Sequence, residues 1–424
     1  MTKKSSVPFV GLHAHSGIGS PFDGLGYPGE HMDYAYENGN DALALTDHGN
    51  MNGFAYQVQH AQKMAKEGKD FKPIFGVEAY FLPSIEEWRI ELEKAKEDKK
   101  AKRTIDKSSS GTTIEDEGNK REVKNILNRR RHLILLAQNQ KGLNNIFNMV
   151  SRSYSTENFY RFPRMDYAML KEHNEGVIAA SACLGGVYAG NYWENMEKGE
   201  EAVLAAMRDT TEKMLDIFGD RWYGELQWNK ISAQHQLNKF IVQVCNEYDV
   251  KLISTADSHY PNRDAWKDRE LYKRLGWLGK GIPKWAEGNT DLPSGVDEIG
   301  YELFPKNGEQ MWEAYKNYSE KLGVTYDDNT IRESIERTHQ IAHERIEKFM
   351  PDNTVRLPSF VVPAGQTPDR ALVAACVDGM RDLGLKDNPE YVARLREEVN
   401  IISERGFSKY FLTMKSIADK ATDV

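Results

Sequence analysis

The sequence predicts an α/β fold, a barrel of seven strands with helices between them, leading into a mostly helical region. Three observations carry this. Seven apolar runs of strand length alternate with amphipathic helical stretches over roughly the first 285 residues. Residues able to bind metals cluster at the ends of those runs, where a barrel places its chemistry. Beyond residue 285 or so the strand pattern stops and polar helical stretches take over.

The runs follow one another as PFVGLHAH (8–15), DALALTDH (41–48), KPIFGVEAYFL (72–82), RHLILLAQ (131–138), GVIAASACLGG (176–186), WYGELQW (222–228) and KLISTADSHY (251–260). Helical periodicity fills several intervals, as in FAYQVQHAQKMAKEG, GLNNIFNMVSRSYS, EEAVLAAMRDTTEKMLDIFG and AQHQLNKFIVQVCNEYD. His13 and His15 end the first run and His48 follows the second, Glu78 lies in the third, Cys183 ends the fifth, and Asp257 and His259 end the seventh. In a strand, residues i and i+2 share a face, so His13-x-His15 and Asp257-x-His259 each present two ligand-type groups on one side. His132 is the exception, because it opens its run. It reaches the same mouth only if that strand runs antiparallel, as the return arm of a hairpin whose tip is the charged insertion at about 94–131.

Composition narrows the class. The chain has 424 residues, a net charge of −8 and three cysteines without a CxxC. That count argues against a disulfide framework. No stretch has the length of a membrane span and the start lacks a secretory leader, so a cytoplasmic protein without a membrane partner is expected. The negative charge argues against strong nonspecific binding of nucleic acid by the whole surface. The insertion is locally basic and ends in Arg129, Arg130 and Arg131, a solvated loop or a DNA contact.

Adding Asp23, from the Gly-rich loop after His15, gives nine candidate ligands: His13, His15, Asp23, His48, Glu78, His132, Cys183, Asp257 and His259. One tetrahedral zinc needs four at most. Two to three divalent ions sharing carboxylates are therefore expected, with zinc first and manganese or magnesium as alternatives. Adjacent divalent ions serve phosphoester hydrolysis, with Asp23, Glu78, Asp257 and His259 as the catalytic set. Taken singly, Glu78, His48, His132 and Cys183 each have an ordinary structural explanation. Glu225 either orients a ligating imidazole or is a plain strand residue. His31, His60, His173, His235, His339 and His343 read as surface or packing histidines. HQIAH (339–343) has helical metal spacing but lacks the Glu of HExxH.

FVGLHAHS, LTDHGNMNG, GVEAY, HLILLA, SACLGG and TADSHY, in this order, resemble the polymerase and histidinol phosphatase (PHP) domain that opens bacterial DNA polymerase III alpha subunits. LPSFVVPAGQTP with EVNIISERGFSKYFL resembles the entry into the palm of those subunits. The resemblance implies a distorted (β/α)7 PHP barrel over 1–285, a helical connection over 286–350 and a mostly helical, incomplete polymerase palm over 351–424. It implies up to three metals, usually zinc, on the nine positions, and a 3′ to 5′ exonuclease acting on DNA. The loop from His15 to Asp23 looks one residue longer than the usual form. The Gly-Arg-Gly-Ser-type loop and Asp-x-Asp of the palm do not follow here, so either these residues are an excised piece of a longer polymerase, or a second polypeptide carrying the rest of the palm, the fingers and C-terminal domains is the expected partner. A metal-stabilised interaction module and a small-molecule phosphatase are the alternatives.

Overall fold

The computed structural model describes residues 5–106, 128–229, 231–277, 302–352, 354, 360–362 and 364–422. The chain divides into two compact units, Met1–Pro351 and Asp352–Val424. The expected boundary near 285 lies outside the described residues.

The first unit is built on a mixed sheet whose strands are β1 (Ala42–Leu45), β2 (Lys72–Phe81), β3 (Arg131–Ala137), β4 (Phe159–Tyr160), β5 (Phe162–Met165), β6 (Val177–Ala180), β7 (Trp222–Gln227) and β8 (Lys251–Thr255). β1 pairs with β2, and β2 continues through β3, β6 and β7 to β8. The stretch 11–15 closes the ring. Gly11 bridges Leu43 of β1, and Ala14 bridges Ser258 just after β8, both in parallel sense. The result is a seven-membered curled barrel in which every neighbour is parallel except at β3.

β3 runs antiparallel to both β2 and β6, with Tyr80 opposite His132 and Ile134 opposite Ala180. The hairpin geometry expected for His132 is thus present in its arms. The insertion is not simply a loop, since the helix Ile85–Asp106 occupies its first part; residues 107–127, the rest of the expected tip, lie outside those described. The short β4 and β5 form a wing on β2, Tyr80 opposite Arg164, that periodicity did not signal because two and four residues are too few to show it.

Alternation sorts side chains to two cores. Val10, Leu12, Ile74, Ile134, Leu136, Ile178, Ala180, Tyr223 and Ile253 fill the barrel interior. Their neighbours Phe75, Val77, Leu133, Leu135, Val177, Ala179, Trp222 and Leu252 pack outward against helices such as Gln140–Ser153, Glu200–Phe218 and Ser232–Glu247. Strands apolar on both faces are what a helix-covered parallel barrel requires. The interior parity passes through His132, Glu78 and Glu225, which therefore point into the barrel.

Two sequence expectations need correction. The 8–15 run makes only isolated bridges at Gly11 and Ala14 and is not a regular strand, so strict alternation fails between Leu12 inside and His13 in the site. Likewise Asp257 and His259 lie beyond the end of β8, and Asp257 adopts a left-handed backbone with φ 48°. Both pairs reach the site through bent backbone, not through one strand face.

The helices Gly308–Lys321 and Asp328–Gln340 belong to the first unit, and the latter continues into a π turn, Ile341–Arg345. Ile341, Ala342 and Ile346 plug the barrel interior at the end where the strands begin. The second unit comprises the helices Pro368–Asp382, Pro389–Glu404 and Ser408–Thr422 around Ala371, Leu372 and Leu412. Thr367 and Asn388 cap the first two, each followed by proline.

Candidate metal centre

All nine expected residues converge at the end of the barrel where the parallel strands finish. The deepest group is His13, His15, Glu78 and Asp257. His13 Nε2 lies 3.0 Å from His15 Nε2 and 3.1 Å from Asp257 Oδ1, while His15 Nε2 lies 3.1 Å from Glu78 Oε2 and 3.2 Å from Asp257 Oδ1. Glu78 then reaches the next group. Its Oε2 is 2.8 Å from His48 Nδ1, and its Oε1 is 2.6 Å from His132 Nδ1 and 3.7 Å from Cys183 Sγ. Cys183 Sγ is itself 3.4 Å from His132 Nδ1. At the rim, Asp23 Oδ2 sits 3.2 Å from His48 Nε2 and 3.6 Å from His259 Nε2.

Local backbone explains how loops deliver these groups. Phe22, Ala182 and Asp257 all have positive φ, at 63°, 61° and 48°. Each adjoins or is a candidate ligand, and such conformations, costly without glycine, tend to be held at functional sites. Buried Asp47 organises the loop before Asp23. It accepts from the Ser16 backbone N–H at 2.7 Å and from the Ser20 hydroxyl at 3.0 Å.

The polar groups behind the ligands are equally specific. Glu225 Oε1 lies 2.7 Å from His13 Nδ1 and accepts from the Thr255 hydroxyl at 2.5 Å, so it holds that imidazole from the rear. Arg269, in the helix Trp266–Trp277, donates at 2.6 Å to Asp23 Oδ1 and at 2.6 Å to the Asp23 carbonyl. Sequence reading missed Arg269, since nothing in AWKDREL distinguishes it from a surface arginine. Tyr80, also unforeseen, places its ring 5.5 Å from His132 and 6.2 Å from His48. Of the arginine run, Arg129 is paired with Glu91 and Arg131 with Glu194, while Arg130 stacks over Phe162 at 3.9 Å.

The electrostatics demand positive charge. Burial opposes protonation of His13, yet Asp257, Glu225 and Glu78 together push its pKa well above the usual imidazole value. Burial also opposes ionisation of Glu78, but His132, His48 and His13 hold it well below the carboxylate range. Burial, then Glu78 and Asp257, push the Cys183 thiol well up. His259, by contrast, is drawn down to about 4 by burial against the pull of Asp257 and Asp23.

The donor set fits divalent metal ions. Glu78 Oε2, Asp257 Oδ1 and His48 Nδ1 are fully buried yet make no hydrogen bond among the described residues, although nitrogen and oxygen atoms crowd within about 3 Å. Buried polar atoms are ordinarily satisfied. Atoms that face one another without a proton between them in good geometry are those a cation would satisfy.

The PHP domain profile matches residues 11–229, more than half of the chain. The chain belongs to the PHP domain family. Outside that profile the likeness continues. The DNA polymerase III subunit alpha of Aquifex aeolicus is 31% identical over 426 residues, covering 98% of this chain. That of Borreliella burgdorferi is 28% identical over 413 residues, covering 95%. This PHP protein spans about a third of the length of those relatives, 31% and 29% respectively. Among solved structures, an amidohydrolase from Chromobacterium violaceum aligns over 62% of this chain and 96% of its own, with 16% identity and a TM-score of 0.29. No described helix of the PHP protein is long and apolar enough to cross a membrane.

Proposed function

We propose that this PHP domain is a metal-dependent 3′ to 5′ exonuclease within a DNA polymerase III alpha-like subunit. The observation that supports the reading most directly is the position of Glu78. Its two buried oxygens face two adjacent donor groups, His13, His15 and His48 on one side and His132 and Cys183 on the other. A carboxylate so placed is a bridge between neighbouring ions.

In this reading His13, His15, His48, His132 and His259 bind two or three ions as neutral imidazoles, Cys183 as thiolate, and Asp23, Glu78 and Asp257 as carboxylates. Zinc is the assigned metal, manganese or magnesium the alternatives. Bound ions would supply an activated water and positive charge for the phosphoryl oxygens. Asp23, whose side chain is 42% exposed, is the carboxylate able to exchange protons with solvent. Asp257 and His259, 3.4 Å apart, complete the catalytic set. Glu225 and Arg269 orient His13 and Asp23.

A DNA end as substrate is supported by the likeness to DNA polymerase III alpha subunits and by the rim itself. Tyr80 beside His48, with Arg130 over Phe162, offers ring faces and a guanidinium of the kind that receives single strands. Polymerisation would require palm sequence beyond these residues, on a second polypeptide or elsewhere. The exposed side chains of Val373, Val377, Ile401, Phe411 and Met414 in the second unit are the surface on which it would pack.

The test is hydrolysis of 3′-labelled single-stranded DNA by the metal-loaded protein, compared with a phosphomonoester. Glu78→Gln and Asp257→Asn should abolish digestion while circular dichroism stays that of the parent. If Asp257→Asn digests as fast as the parent, or if only the phosphomonoester is cleaved, the reading is wrong.

A further inference from the structure

The helical pair His339 and His343, left over by the chemistry of the mouth, meets a carboxylate from another part of the chain. Their rings lie 4.3 Å apart on one face of the helix Asp328–Gln340 and its π turn. Asp41, the residue before β1, inserts its carboxylate against both. Its Oδ1 is 2.9 Å from His343 Nε2 and its Oδ2 is 3.9 Å from His339 Nε2. One donor atom from each of the three lies within 4.8 Å of the others.

We propose that Asp41, His339 and His343 form a separate site for a divalent transition metal of the zinc class, at the opposite end of the barrel from the exonuclease centre. The spacing fits. Donors held at about 2.0–2.2 Å from a tetrahedral ion lie roughly 3.3–3.6 Å apart, and the observed separations bracket that range. The chemistry fits as well, since two imidazoles and one carboxylate select zinc, cobalt or nickel over calcium or magnesium. The three side chains are between 29% and 36% exposed, which leaves room for water to complete the coordination. A cavity of about 530 Å³ opens beside Asp41 and His343 to admit it.

Three cations border that cavity, and each has hydrogen-bond partners of its own. Lys72 Nζ donates at 2.5 Å to the carbonyls of Ala342 and Ile346. Arg345 is held by Asp220 and the Tyr223 hydroxyl, and Lys348 by Asp70. Lys72 also explains why the imidazoles stay in place. The π turn frees main-chain carbonyls, and the buried ammonium satisfies them from the adjacent strand. The ion would therefore act as a clip. It would fix the last helix of the first unit to the start of β1, at the point where the chain leaves for the second unit.

The experiment compares the parent with His339→Gln/His343→Gln and with Asp41→Asn. Each protein is dialysed against zinc and then metal-free buffer, and zinc per chain is measured by atomic spectroscopy. Cobalt difference spectra, parent minus variant, report the coordination lost. These half-exposed positions should tolerate the changes, and circular dichroism verifies that they do. The double variant should hold one ion fewer per chain, with a difference spectrum of low coordination number, and Asp41→Asn should bind that ion more weakly. Equal zinc in parent and double variant would overturn the proposal. Because the centre at the mouth is present in every protein compared, its own occupancy cancels, and the outcome is independent of whether that centre cleaves DNA.

Discussion

Arg269 grips Asp23 twice, through the carboxylate and through the main-chain carbonyl, both at 2.6 Å. Asp23 stands on a loop, its side chain 42% exposed, so this clamp sets how its other oxygen, Oδ2, meets His48 and His259. Arg269→Ala should lower metal affinity and DNA digestion by about 10- to 100-fold, the usual effect of removing a group that orients a ligand. Zinc titration and initial rates measure both. An unchanged rate would mean that Asp23 needs no such support.

Glu225 plays the corresponding part for His13. Glu225→Ala removes the acceptor behind Nδ1 and strands the Thr255 hydroxyl and the Gln227 amide that share it. Metal affinity should again fall by about 10- to 100-fold, and melting temperature should fall even with metal absent. Glu225→Gln keeps an acceptor and should fall between the two. A variant as stable as the parent without metal would contradict the shared network.

Metal uptake should expel protons. Without an ion, the carboxylates around His13 favour its protonated form, and burial keeps Cys183 a thiol. Ligation requires neutral imidazole and thiolate, so both protons must leave. Calorimetric titration with zinc in buffers of different ionisation enthalpy should show net release at neutral pH. Heat independent of buffer would rule it out.

His31, buried beside the centre, gives a further pH dependence. Its Nε2 donates to the Leu25 carbonyl at 2.8 Å, and burial brings its pKa down from 6.5 to about 4. The unfolded chain thus takes up this proton first as pH falls. The stability it confers is complete above about pH 6.5 and drains away toward pH 4, by roughly 3 kcal/mol. His31→Gln retains a donor to Leu25 and should lose that part of the acid slope in denaturant titrations. Identical slopes would refute the assignment.

Gly142 tests the outer packing. A Cβ there would sit 1.8 Å from the Gly176 carbonyl oxygen, a main-chain clash that no rotamer relieves. Gly142→Ala should cost about 1–3 kcal/mol and lower the melting temperature without altering metal content.

Much of this was legible because the chemistry repeats a position. His48 and Cys183 declare themselves at the ends of apolar runs, Glu78 as a charged residue inside one, and His132 betrays an antiparallel strand by standing at the wrong end of its own. The bends at Asp257 and Ala182 were not legible, because left-handed backbone at a non-glycine residue is imposed by tertiary contacts and not by local preference. Arg269 was hidden for a related reason. Its partner is Asp23, 246 positions away, and no local pattern records so distant a pairing. Asp41 with His339 and His343 shows the same limit, since helical spacing supplies two ligands and only folding brings the third.

The reversed strand has one more implication. Because β2 leaves the barrel at the mouth and β3 re-enters there, the helix Ile85–Asp106 starts, and residues 128–130 end, beside the candidate ligands. That excursion can lengthen, shorten or change charge without shifting a rung of the ladder beneath it. Under the proposed function, evolution could therefore retune which substrate ends gain admission while the candidate ligands beneath stay fixed.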